Sequence, residues 1–166
     1  MDQTEPKYPE KLPYFSKPGT YTGWVAATRQ PTGRSAMSVE LRSEDENESH
    51  YHFAASSAAP DSNEQRAYAR GLIDLCEALP IASALRANSR STYVGHIVDL
   101  ADQWRANGWR SSSGPVENVD LVKLYLKVRD ERRLKVSHKH CPKKRSEHDK
   151  TLTRLHDEAH GLALDQ

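Results

Sequence analysis

The segment Gln103-Trp104-Arg105-Ala106-Asn107-Gly108-Trp109-Arg110-Ser111-Ser112-Ser113-Gly114-Pro115-Val116-Glu117-Asn118-Val119-Asp120-Leu121 decides how this chain is read. It joins two helical patterns. Before it, Val94, Ile97, Leu100 and Trp104 recur at helical spacing, which predicts a helix over Tyr93–Trp104 with one apolar stripe. After it, Leu121, Leu124, Tyr125 and Val128 predict a second helix over Val119–Val128. Between them, Arg105–Gly114 holds Asn107-Gly108 and three serines, the composition of a loop. Trp104 reads equally as a core residue of its helix stripe. Trp109, in so polar a loop, serves either to pack the loop or to bind something.

Toward the N-terminus, a helix beginning near Asp61 or Ser62 buries Leu72, Ile73, Leu75, Cys76 and Leu79 on one face before Pro80 stops it. A short strand is expected near Ala82–Ala87. Three earlier segments have strand character: Tyr21–Arg29, Met37–Arg42 and His50–Ala54. Pro31-Thr32-Gly33 turns the first into the second, and the acidic run Ser43–Ser49 joins the second to the third. Residues 1–19 contain Pro6, Pro9, Pro13 and Pro18 with little apolar periodicity, so they are expected to form a flexible arm ahead of a domain over 20–166. Toward the C-terminus, Leu134–Ser137 reads as a strand. His148–Leu164 reads as a last helix carrying Leu152, Leu155, Ala159 and Leu162. The order β-β-β-α-β-α-α-β-α describes an α/β fold, a mixed five-stranded sheet flanked by helices.

Composition narrows the classes. The 166 residues are 36% apolar, with a mean hydropathy of −0.83, enough for one core. The apolar runs are too short to span a bilayer, and the N-terminus lacks the pattern of a secretory signal. Cys76 and Cys141 are too few for a disulfide framework. The expectation is an intracellular protein, cytoplasmic or nuclear, with no membrane partner. The net charge of +1 conceals an asymmetry: residues 1–102 hold 10 basic and 14 acidic groups, and residues 103–166 hold 14 and 9. Such a division suggests one surface facing a polyanion, with a solvated helix end as the plainer reading.

Motifs give a sharper comparison. The 103–121 segment resembles the Trp-Lys-Lys-Asn-Gly-Trp-Lys loop and following Pro-Val-x-Asn-x-Asp-Leu of cellular-type ribonucleases H, whose basic protrusion it matches. Asn63-Glu64-Gln65-Arg66-Ala67 is similar to the segment opening that family's first helix. The resemblance covers about residues 20–164. It implies the ribonuclease H fold, a channel for nucleic acid, and cleavage of the RNA strand of a hybrid by two Mg²⁺ ions on four carboxylates. Hard cations held that close need such a density of anionic oxygen. Carried over by position, the carboxylates fall on Gly23, Tyr68, Ser89 (Arg90 if shifted by one residue) and Thr153, none of them Asp or Glu. The family's flexible Gly-His loop falls near His138-Lys139-His140-Cys141, where its glycine is missing.

The positions that handle nucleic acid are largely kept. The resemblance assigns Trp104, Ser112 and Asn118 to the DNA-strand channel, puts Arg105 and Arg110 in place of lysines, and matches Gln65 to a residue reaching the RNA side; Trp109 belongs to the same surface. Arg forks bind phosphate, Ser and Asn donate to its oxygens, and indole packs on sugars. Lys139 and Lys143-Lys144-Arg145 add a basic run that also reads as a solvated loop. His138, His140, Cys141 and His148 lack the paired spacing of a zinc site, and no nucleotide-binding or nucleophile motif is present. No metal and no cofactor is therefore expected. The leading expectation is a catalytically inactive ribonuclease H-like module that binds a hybrid or duplex. Against it stand a protein-interaction module on the same scaffold, with a protein as partner, and a nuclease whose ligands have moved to residues such as Glu64 and Asp157, one helical turn from Tyr68 and Thr153.

Overall fold

A run of β-branched and aromatic residues alternating with small ones opens the sheet. In the computed structural model, which describes residues 11–45, 50–58, 63–142 and 148–164, β1 (Thr20–Arg29), β2 (Ser35–Ser43) and β3 (His50–Ser57) form an antiparallel meander. Gly33, at φ +94°, closes the first turn, and its amide donates to the Gln30 carbonyl at 2.8 Å. β4 (Ala84–Ser89) then pairs parallel to β1, and β7 (Lys135–His140) parallel to β4, in the order β3-β2-β1-β4-β7.

Strand periodicity divides the core in two. Val25 and Ala27 face one side and pack with α1 (Glu64–Glu77), α2 (Thr92–Ala106) and α3 (Val119–Glu131). Trp24 and Ala26 face the other and pack with Leu152 and Leu155 of α4 (Asp149–Leu164). A strand covered on both faces reads as a continuous apolar run, as Trp24–Ala27 does. Among the described residues, no helix is long and apolar enough to cross a membrane.

Several expectations change in detail. Asn63 caps α1, its side chain accepting from the Arg66 amide at 2.8 Å, a contact typically worth about 1 kcal/mol; Asp61 and Ser62 lie outside the described residues. β4 runs two residues later than the sequence suggests, because Ala82 sits in the left-handed region at φ +66° and cannot begin a strand. β7 runs on through His138 to His140, where a loop was expected, because each residue from Lys135 to His140 pairs with β4. Gly95 of α2 makes this fit: a Cβ there would lie 2.8 Å from His138 Nδ1.

The arm also needs correction over residues 11–19. Phe15 is buried, its ring 4.8 Å from that of Tyr21. The amides of Tyr14 and Phe15 both donate to the Ala78 carbonyl, and the Lys11 ammonium pairs with Asp74. The prolines fix an extended backbone here, which aromatic packing then holds on the domain. Residues 1–10, most of the acidic hairpin loop and Lys143-Lys144-Arg145 lie outside the described residues.

Candidate nucleic-acid interface

The loop after α2 is a built structure. Gly108 and Trp109 both adopt positive φ, +68° and +66°. That turns the chain sharply, so the Trp109 amide donates to the Trp104 carbonyl at 2.7 Å. Two short strands follow, β5 (Arg110–Ser111) and β6 (Gly114–Pro115), pinned by Val116 N–H to Trp109 C=O at 3.0 Å. Trp104 and Trp109 both pack partly buried against the main core. Lys123 stands 5.3 Å from the Trp109 ring centroid, and the indole also lines a cavity of about 640 Å³. Trp109 thus packs the protrusion in place. Arg110, Ser112 and Gln65 are exposed.

Arg105 and Asn118 are engaged within the protein. Arg105 donates to Asp130 at 2.9 Å and Asp102 at 3.0 Å. Arg129 bridges the same two carboxylates. Hydrogen bonds from Arg129, then charge from Arg129 and Arg105, hold the Asp102 carboxyl below its ordinary value against a modest burial penalty. Asn118 occupies the left-handed N-cap of α3 at φ +54° without capping it. Its Nδ2 donates to the Tyr93 hydroxyl at 3.1 Å, and its Oδ1 accepts from Arg66 at 3.3 Å. Arg66 in turn forks onto Asp120 at 2.8 and 2.9 Å. This network ties α1, α2 and α3 together beneath the protrusion. One Nδ2 hydrogen of Asn118 is left over from the Tyr93 bond.

Arg66, Tyr93 and Asp120 escaped sequence reasoning. The signal was present: Arg66 and Asp120 lie inside the quoted motifs, beside residues that were singled out.

Of the four positions carried over as carboxylate sites, Gly23 turns into the core, while Tyr68 and Thr153 both approach Arg90. A Cβ on Gly23 would lie 3.0 Å from Leu85 Cδ1 and 3.1 Å from Leu75 Cδ1, inside the core beneath α1. Its neighbour Trp24 faces α4 instead, and the Trp24 Nε1 donates to His148 Nδ1 at 3.0 Å. Ser89 is fully buried and bonded to His138 Nε2 at 2.7 Å. Its neighbour Arg90 reaches α4, donating to Thr153 Oγ1 and to Asp149 Oδ1, each at 2.6 Å. Tyr68 is buried, which pushes its hydroxyl up to about 12. The two alternative ligands, Glu64 and Asp157, are both exposed. Among the described residues, no group of three His, Cys, Asp or Glu side chains could hold a metal ion.

No family model matches the chain. A curated Ribonuclease H from Methylorubrum extorquens (strain PA1) is 28% identical over 101 residues; the match covers 60% of this chain and 36% of that protein's length. Solved structures align over most of the chain at low identity. The foamy viral protease-reverse transcriptase in complex with an RNA/DNA hybrid gives a TM-score of 0.64 at 17% identity, covering 99% of this chain and 22% of that one. The solution structure of the PFV RNase H domain gives 0.61 at 16%, covering 87% and 93%. The N-terminal RNase H domain of a Mycobacterium tuberculosis protein, solved as a fusion with maltose binding protein, gives 0.58 at 16%, covering 87% and 95%.

Proposed function

From the ribonuclease H fold of this chain, we propose that it binds an RNA–DNA hybrid or another nucleic-acid duplex and does not cleave it. The observation that carries this reading is the Arg90 guanidinium held between Asp149 and Thr153 at the join of β4 and α4. There the resemblance expects two carboxylates, and a fixed cation repels a divalent ion rather than holding it. Tyr68, carried over as a site position, and Trp24, beside Gly23, offer no anionic oxygen at neutral pH. The residues present do not fit a two-metal centre.

Binding rests on the protrusion. Arg110 is exposed on the β5–β6 hairpin and Ser112 in its turn, and Gln65 is exposed at the start of α1. Structures of similar fold have been solved with double-stranded DNA and with an RNA/DNA hybrid, which supports a nucleic-acid partner. Arg105, committed to Asp102 and Asp130, adds little.

A titration of hybrid, double-stranded RNA, double-stranded DNA and a single strand across salt concentrations tests the proposal. Arg110→Ala is expected to weaken all sequences alike and lower the salt slope by about one; Arg105→Ala should leave the slope nearly unchanged. Absence of binding near physiological salt would sink the reading. The second reading, a protein-interaction module, is favoured by Leu12 and Ile81, 83% and 51% exposed beside the cavity. It takes over if nucleic acid does not bind.

A further inference from the structure

We infer that the open face of the sheet over β4 and β7 is a second contact surface for a nucleic-acid backbone, separate from the protrusion; this rests on the nucleic-acid reading above. The α4 helix lies over β1, β2 and β3, and the sheet extends beyond it. In β7, Val136 and His138 face α2, so Lys135, Ser137 and Lys139 face the opposite way, and all three are exposed. The parallel register places Lys135 beside Ala84, Ser137 beside Arg86 and Lys139 beside Asn88 on that face. Thr22 of β1 lies beside Arg86 in turn. The Arg86 side chain is 67% exposed, and its ion pair with Glu44 is long, at 3.6 Å.

The chemistry of this face selects the partner. Three cations interleaved with the Ser137 hydroxyl offer charge plus a hydrogen-bond donor, the combination that phosphate oxygens take; the Thr22 hydroxyl beside them donates to Glu44 at 2.9 Å. No large apolar or aromatic side chain lies among these residues. That argues against a protein partner, whose interface needs an apolar centre, and against stacking of unpaired bases. Lys135 and Lys139 stand roughly 13 Å apart at strand spacing. That corresponds to about four base steps along a duplex axis. The occupant that fits is a duplex backbone, read without sequence preference.

The test uses the full chain, a fluorescent RNA–DNA hybrid and the same sequence as duplex DNA, titrated at several salt concentrations. The triple variant Arg86→Ala/Lys135→Ala/Lys139→Ala is expected to reduce the salt slope by about two to three, with an unchanged melting temperature because the side chains are exposed. Its effect should add to the smaller one of Arg110→Ala. If the triple variant keeps the wild-type slope while Arg110→Ala lowers it, this inference is overturned and the protrusion reading stands. No binding by wild type overturns both. Vesicles containing phosphatidylserine serve as a control: if the triple variant loses vesicle binding but keeps hybrid binding, the surface belongs to a lipid headgroup and the inference fails.

Discussion

At the residue scale, Asn118 shows how a side chain can sit in a binding motif and still be structural. Its left-handed backbone suits Asn, because a short polar side chain tolerates that region. Its amide also holds Tyr93 and Arg66, 25 and 52 residues away in sequence. Asn118→Ala therefore combines backbone strain of about 1–2 kcal/mol with lost hydrogen bonds of about 1 kcal/mol. Asn118→Gly removes only the second contribution, so urea denaturation should rank wild type above Gly above Ala; equal midpoints for the two variants would contradict the strain argument. Sequence could mark this position but not its partners, because a phosphate donor and an interhelix tie use the same amide. Gly23 teaches the reverse. Position counting assigned it to the metal site, yet its missing side chain points at Leu75 and Leu85. Gly23→Asp should lower stability by several kcal/mol by burying an unpaired carboxylate, read as a large drop in melting temperature. A well-folded variant with normal melting would restore the original register.

At the element scale, β7 and α4 fix how the protein responds to acid. His138 is tucked between Gly95 and Ser89, and burial, then the nearby His140, lowers its pKa from 6.5 to about 4. The unfolded chain therefore takes up this proton first. Stability from His138 is complete above pH 6.5 and is lost as pH falls toward 4. Burial alone would raise the Glu40 carboxyl under α4, but Arg154 and then Arg42 outweigh it and hold it below its ordinary 4.5. Its contribution is present above 4.5 and is lost only at lower pH, so the two windows separate. The stability gap between wild type and His138→Gln should close as pH falls from 6.5 to 4, in denaturation curves at half-unit steps. A gap independent of pH would show that His138 does not titrate this way. The four helices were legible because their apolar stripes repeat at 3.6 residues. The end of β7 was not: His-Lys-His carries no local strand signal, and pairing with β4 alone makes it one.

At the scale of the whole molecule, the fold was legible because the paired tryptophans around Asn107-Gly108 and the Pro-Val-x-Asn-x-Asp-Leu run form one contiguous segment. The site was less so, because it is assembled from β1, α1, β4 and α4, and an error of one residue in any strand reverses the face. Gly23 faces α1 while its neighbour Trp24 faces α4 beside Asn88, and Ser89 turns to His138. The charge asymmetry has a structural counterpart: the basic C-terminal half supplies both the protrusion and β7, while Asp102, Asp120 and Asp130 neutralise arginines that hold helices together. The central claim, binding without cleavage, is tested most directly by incubating the full chain with an end-labelled RNA–DNA hybrid in Mg²⁺. Retention of the hybrid and integrity of the RNA strand are read from the same sample. The account predicts a retained hybrid with its RNA intact, in Mg²⁺ and in Mn²⁺ alike. Metal-dependent shortening of the RNA that disappears with Asp157→Ala or Glu64→Ala would contradict it.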